Sequence, residues 1–291
     1  MQSIILRGIG GFYYALDGEG NVHQVRPQRK LRRDRKPKVG DRVDIVPGDG
    51  EEDGWICAIL PRKNELERPP VANIDVAVIV AAAAAPLPDL LMVDRLMLNA
   101  RRNHVDVMLV ISKCDLDEGL AADIMSQYRG ADCAPLRVSS RTSEGIEALR
   151  NALRGRVCAL AGQSGAGKST LINALYGLDL ETGDLSRKID RGKNTTRSCQ
   201  LIPVEGGGMV LDTPGFSLLE TDVFDPVELK DSYPEFLPLE GGCFFQPCYH
   251  ASEPRCAVRD AVAENAIDPA RHGRYVELLQ DMRQRWKERY D

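Results

Sequence analysis

The sequence predicts a multidomain chain: a small all-β, OB-like barrel, then an α/β domain built on a phosphate-binding loop (P-loop), then a mostly helical C-terminal domain. Three observations carry this. Short alternating apolar segments, separated by Gly, Asp and Pro turn signals, fill residues 1–68. The run Gly162–Ser169 reads G-x-x-x-x-G-K-S between an apolar segment and a helix-like one. Cys243, Cys248, His250 and Cys256 cluster in a turn-rich stretch, and helical patterns follow. Domains are expected at 1–68, 69–222 and 223–291.

Composition sets the frame. The chain has 291 residues, 43% hydrophobic and 28% charged, as in a globular protein of two or three domains. A net charge of −5 excludes a polycation, so any nucleic-acid surface must be a local patch. Met1–Gly8 shows no charged lead before an apolar core, and the run from Val76 to Pro86 is too short to span a bilayer. A cytoplasmic protein with no membrane contact is expected. Five of the eight cysteines (Cys57, Cys114, Cys133, Cys158, Cys199) are scattered singly and read as core or near-core residues.

The barrel strands are expected at Gly11–Leu16, Val22–Val25, Val43–Val46 and Trp55–Leu60, with Asp17-Gly18-Glu19-Gly20 and Pro47-Gly48-Asp49-Gly50 as turns. A basic stretch lies between strands: Arg26, Arg29, Lys30, Arg32, Arg33, Arg35, Lys36, Lys38 and Arg42, against Asp34 and Asp41. It reads as an exposed loop, either a solvated surface or a phosphate-backbone contact of the kind that RNA offers.

Pro69-Pro70 marks the next boundary. Ile74–Val80 is a buried strand, a helix with Leu90, Val93, Leu96, Met97 and Ala100 on one face follows, and a second strand spans Val105–Ile111. That strand ends in Ser112-Lys113-Cys114-Asp115, which resembles the guanine-reading N-K-x-D motif with Ser in place of Asn. The Asp115 carboxylate can accept from N1–H and the 2-amino group of guanine, and Lys113 can lay its stem over the base plane. A further strand, Ala134–Val138, leads to Ser139-Ser140, small residues that admit the edge of a base, and a helix starts near Glu144. In the P-loop, the backbone of Gly162, Gln163, Ser164, Gly165, Ala166 and Gly167 would wrap a phosphate. Lys168 would reach the β- and γ-phosphates, Ser169 would take Mg²⁺, and Thr170 would continue into the helix. Downstream, Asn194-Thr195-Thr196 lies in a polar stretch where Thr196 or Thr195 would close over Mg²⁺. Strands over Cys199–Glu205 and Met209–Leu211 lead into Asp212-Thr213-Pro214-Gly215. Asp212 would hold Mg²⁺ through water and the Gly215 N–H would sense the γ-phosphate. Phe216 stands where small GTPases carry a water-orienting Gln, so intrinsic hydrolysis is expected to be slow.

The spacing C-x-x-x-x-C-x-H-x-x-x-x-x-C suits a closed, tetrahedral, structural zinc site. Helices are expected over Ala257–Glu264 and Tyr275–Trp286. The second, carrying Arg283, Arg285, Lys287 and Arg289, reads as RNA-facing or simply solvated.

These motifs resemble those of a GTPase, in the order four, five, one, two, three, hence a circularly permuted one. With an OB-like barrel before and a Cys/His zinc module after, nearly the whole chain resembles the ribosome small-subunit-dependent GTPase family (RsgA, YjeQ or YloQ). The resemblance implies hydrolysis of GTP to GDP and phosphate, stimulated by the 30S subunit late in its assembly. It also implies contact with 16S rRNA and one zinc per chain, and a monomer is expected. Asn194 replaces the family's usual His, and Arg255 its usual Gly before Cys256. Two other readings stay open. One is a nucleotide-gated RNA-binding protein with negligible hydrolysis. The other is a permuted GTPase that regulates another RNA assembly.

Overall fold

The computed structural model describes residues 1–34, 36–49, 52–67, 69–85, 87–178, 199–212 and 222–289. Strands β1 (Gln2–Ile9), β2 (Phe12–Asp17), β3 (Val22–Pro27), β4 (Arg42–Val46) and β5 (Gly54–Ile59) build the five-strand barrel. Antiparallel pairing runs β1–β2–β3, and β5 pairs in parallel with β3 and antiparallel with β4. β4 returns to β1 through Gln2↔Asp44 and Ser3↔Val43, which closes the barrel. Ile5, Tyr13, Ala15, Val25, Val43, Ile45 and Ile56 fill the interior. β1 carries no clean alternation: Ile4, Ile5 and Leu6 are consecutive, and the β1–β2 register shifts between Ile5 and Arg7. Such a bulge places neighbouring apolar residues on both faces.

The basic stretch is not all loop. Arg26 lies on β3 and Arg42 on β4, and between them the chain forms helix α1 (Arg29–Asp34), built from good helix formers. Arg26 is paired with Asp53 at 2.8 Å and Lys38 with Glu67 at 2.5 Å, while Arg29, Lys30, Lys36 and Arg42 are exposed. Arg35 lies outside the described residues.

A short hairpin, β6 (Glu65–Leu66) and β7 (Val71–Ala72), leads into the α/β layer. There β8 (Val76–Ala82), β9 (Asp106–Ser112), β10 (Leu136–Arg137), β11 (Val157–Ala161) and β13 (Met209–Asp212) run parallel. β12 (Gln200–Pro203) is antiparallel to β13. The strand expected over 134–138 pairs only at Leu136 and Arg137. Strand order is β10-β9-β8-β11-β13-β12-β1-β2-β3-β5-β4, so one sheet runs from the α/β layer into the barrel through Arg7↔Gln200.

Alternation sorts the central strands between two cores. Ala77, Ile79, Leu109 and Ile111 face α2 (Leu90–Arg102) and α3 (Glu118–Gln127). Val76, Val78, Val80 and Val110 face α4 (Ile146–Leu153) and α5 (Lys168–Tyr176). Buried Cys114, Cys133 and Cys158 and half-buried Cys199 match the sequence expectation, whereas Cys57 is exposed on β5. Burial pushes the Cys133 thiol up to about 11 and that of Cys158 to about 12, so both behave as inert apolar groups.

The C-terminal part holds two 3₁₀ turns, α6 (Ala257–Ala263) and α7 (Pro269–Glu288). α7 starts earlier than Tyr275 because Asp268 caps it, accepting from the Ala270 and Arg271 N–H groups, with Pro269 at the first position. Phe236, Tyr275 and Leu279 pack in a core that includes Leu98 of α2. Beside it lies a buried ionic knot. Asp94 of α2 accepts from Arg271 Nη1 at 2.5 Å, Arg274 Nε at 2.6 Å and the Tyr128 hydroxyl at 2.5 Å. Arg271 Nε also reaches Glu235 at 2.9 Å.

Candidate nucleotide site and metal centre

The P-loop joins β11 to α5. Gly162 has φ +135°, and a Cβ there would sit 2.2 Å from the Val80 carbonyl oxygen, so no side chain fits against β8. Gly167 (φ +88°) caps α5 without a side chain, which leaves the first-turn N–H groups of the helix directed at the loop. Lys168 Nζ folds over the loop and donates to the Gly162 and Gln163 carbonyls at 2.8 and 2.9 Å. Gln163 Oε1 accepts from the Asp89 N–H at 3.1 Å, linking the loop to the start of α2. Ser164, Gly165 and Thr170 are exposed and Ser169 is half-buried.

The end of β9 is stitched to this loop. Ser112 is buried, and its hydroxyl donates to the Ala166 carbonyl at 2.6 Å. The shorter residue therefore still braces the loop. Lys113 turns through φ +56° and donates to the Gly165 carbonyl at 2.8 Å. Cys114 is buried, and its N–H donates to the Val138 carbonyl at 3.3 Å. Asp115 then faces Ser139 and Arg141. The Ser139 hydroxyl foremost, with Arg141 beside it, holds the Asp115 carboxyl below the usual carboxylate range against the opposing effect of burial. Ser139 is fully buried and Ser140 half-buried. Asp212 ends β13, where burial raises its carboxyl above the usual range. Asn194, Thr195, Thr196, Gly215 and Phe216 lie outside the described residues.

Phosphate loop, base loop and acid thus share the C-terminal ends of neighbouring parallel strands, where α/β sheets take ligands. A nucleotide bridging Lys168 and Asp115 suits that arrangement.

The second cluster is compact. Cys243, Cys248, His250 and Cys256 are buried, with their ligand atoms all within 4.8 Å of one another. Cys256 Sγ lies 3.8 Å from both Cys243 Sγ and Cys248 Sγ, and His250 Nδ1 lies 3.4 Å from Cys256 Sγ and 3.6 Å from Cys243 Sγ. A tetrahedron with metal–thiolate bonds of about 2.3 Å has edges of about 3.8 Å. These residues therefore fit a metal ion. His250 Nε2 is 3.4 Å from Glu240 Oε1, the outer contact that orients a ligating imidazole. His272, which carries no motif, lies with Nε2 2.7 Å from the His250 carbonyl oxygen.

Two features escape motif reading. Arg141 is one. The other is the outer face of the barrel, where Arg7 lies over Tyr14, Arg26 over Phe12, and half-exposed Trp55 pairs with Arg26 across β3–β5. Phe12 and Tyr14 at alternate positions were the available signal. Arg255, the residue noted before Cys256, adopts φ +52° and places its guanidinium 3.3 Å from the Phe244 ring centroid. That cation–π contact offsets the cost of a left-handed non-glycine residue.

A profile of the RsgA GTPase family matches residues 59–222. The small ribosomal subunit biogenesis GTPase RsgA of Caldanaerobacter subterraneus subsp. tengcongensis is 39% identical over 100% of this chain and 98% of its own. Its namesake in Geobacillus thermodenitrificans is 41% identical over 98% of each chain. The crystal structure of YjeQ from Thermotoga maritima superposes with a TM-score of 0.83 at 32% identity, covering 97% of this chain and 98% of that one. YloQ, a circularly permuted GTPase, gives 0.80 at 30% identity over 98% and 95%.

Proposed function

The chain belongs to the RsgA GTPase family, and from that premise we propose how its residues serve GTP hydrolysis in small-subunit biogenesis. The protein binds Mg²⁺·GTP, docks on the 30S subunit through 16S rRNA, and hydrolyses the nucleotide to GDP and phosphate there. One observation supports this most: the base loop and the P-loop are tied together by Ser112 to Ala166 and Lys113 to Gly165. A single nucleotide then fills both.

In this reading Asp115 accepts from guanine, Ser139 and Ser140 border the base, and Lys168 leaves its loop carbonyls for the β- and γ-phosphates. Ser169 and Thr196 would hold Mg²⁺, and Asp212 would hold it through water. The ion neutralises charge that develops between the phosphates. Thr195, Thr196 and Gly215 would respond to the γ-phosphate, and Asn194, which can hydrogen-bond water but cannot carry a proton, would take the place of the family's usual His. The Cys₃His cluster holds one structural zinc. The Arg- and aromatic-bearing barrel face suits stacking of unpaired bases with phosphate contact. Among the described residues no helix is long and apolar enough to cross a membrane. We place the protein in the cytoplasm as a monomer with domains at 1–68, 69–222 and 223–291.

The test is nucleotide binding by Lys168→Ala, followed with a fluorescent GDP in competition with GTP and ATP. The account expects loss of binding in the variant and displacement by GTP alone in the parent. Equal displacement by ATP contradicts it.

A further inference from the structure

Arg141 follows Ser139-Ser140 in the base-edge loop, where motif reading gives it no role, yet it grips the carboxylate of Asp115. Its Nε and Nη2 reach one oxygen, Asp115 Oδ2, at 2.8 and 2.7 Å. The Asp115 side chain is 10% exposed and that of Arg141 73% exposed, so the guanidinium covers the carboxylate from the solvent side. The backbone that carries Arg141 is fixed in turn. The N–H groups of Arg141 and Thr142 donate to Ser139 Oγ at 3.2 and 3.1 Å, and Ser139 is fully buried. Lys113, the other nearby cation, is committed to the Gly165 carbonyl.

Guanine presents N1–H and a 2-amino group side by side, and hypoxanthine presents N1–H alone. Telling them apart needs a carboxylate that stays ionised with both oxygens in the plane of the base. Each oxygen has two lone pairs. Arg141 and the Ser139 hydroxyl both bond the Asp115 carboxylate, and of its four lone-pair sites they leave two for the base. We propose that Arg141 is a positioning residue for guanine selectivity: it fixes the plane of the Asp115 carboxylate so that the site favours bases carrying a 2-amino group. This rests on the guanine reading of Asp115 given above. The pair contributes little to fold stability, since one partner is solvent-exposed. Its effect is on the geometry of recognition.

The experiment is equilibrium binding of GDP and IDP to the full chain and to Arg141→Ala and Arg141→Lys, with thermal midpoints measured alongside. Arg141→Ala is expected to weaken GDP about fivefold, the upper range for an ion pair with one exposed partner. IDP should weaken less than about twofold, because it lacks the amine that this alignment serves. The GDP-over-IDP ratio therefore narrows while the midpoint holds. Arg141→Lys should restore part of the ratio, since an ammonium supplies the charge without the planar fork. Equal losses for both nucleotides, no loss, or tighter GDP binding each overturn the proposal. Asp115→Asn with XDP separates this from the base reading. If the parent prefers GDP over IDP and Asp115→Asn gains XDP, the base reading stands whatever Arg141 does. If neither is seen, that reading fails and this inference with it.

Discussion

Asp94→Ala should loosen the C-terminal domain from the nucleotide domain. Asp94 is 1% exposed and accepts three short hydrogen bonds, two of them from arginines on α7. Its removal leaves Arg271, 2% exposed, with Glu235 at 2.9 Å as its remaining carboxylate partner. Arg274, whose side chain is 13% exposed, keeps Gln127 at 2.7 Å. Breaking a buried pair typically costs about 3–5 kcal/mol. The residual partners place this case near about 3 kcal/mol. Arg271→Met should cost a similar amount, because it takes one donor from Asp94, which keeps Arg274 and Tyr128, and removes the guanidinium at 2.9 Å from Glu235. The double variant removes both charges and should cost less than the sum of the singles, by about 2 kcal/mol. The assay is urea unfolding followed by the fluorescence of Trp286 on α7, in a Trp55→Phe background that silences the other tryptophan. A single-variant loss below about 1 kcal/mol, or strict additivity, refutes the claim that this knot fastens the two domains.

Ser112→Ala strips the donor from the buried Ala166 carbonyl, so stability should fall by about 1–2 kcal/mol and GDP affinity by about tenfold; calorimetry measures both, and an unchanged affinity argues against the stitched base loop. Stripping metal with a strong chelator should expose the C-terminal core around Phe236 and Tyr275, seen as a Trp286 fluorescence change with one zinc released per chain, while GDP binding persists. Because Asp212 is raised by burial, its charged form costs stability once pH climbs through its folded pKa, and that cost is absent below the unfolded value of about 4. Asp212→Asn should therefore raise the Mg²⁺-free thermal midpoint at pH 7 but not at pH 3.5, while cutting Mg²⁺-dependent turnover by at least about tenfold. A variant destabilised at pH 7 reverses the sign and rejects the argument.

The parts legible in sequence are those where side chains repeat or chemistry dictates the residue. β8 and most of β9 are buried on both faces, which forces continuous apolar runs. Gly162 is demanded by the Val80 backbone, and the Cys₃His ligands by tetrahedral coordination. The bulge in β1 erased the period on which strand reading depends. The joint between barrel and α/β layer, Arg7↔Gln200, is made by backbone groups, which leave no mark on residue choice. Asp94 carries no signal in the sequence because its partners Arg271 and Arg274 lie 177 and 180 residues away. Arg141 escaped for the same reason: 26 residues separate it from Asp115. Ser112 stands where the guanine-reading motif has Asn, and its bond to the Ala166 carbonyl, made across 54 residues, could not be read from the motif.

This GTPase is expected to need its ribosomal partner to complete hydrolysis. Steady-state GTP turnover with and without purified 30S subunits tests it most directly. Slow turnover alone and strong stimulation by 30S, lost in Lys168→Ala, is the predicted result. Turnover that 30S subunits leave unchanged contradicts it.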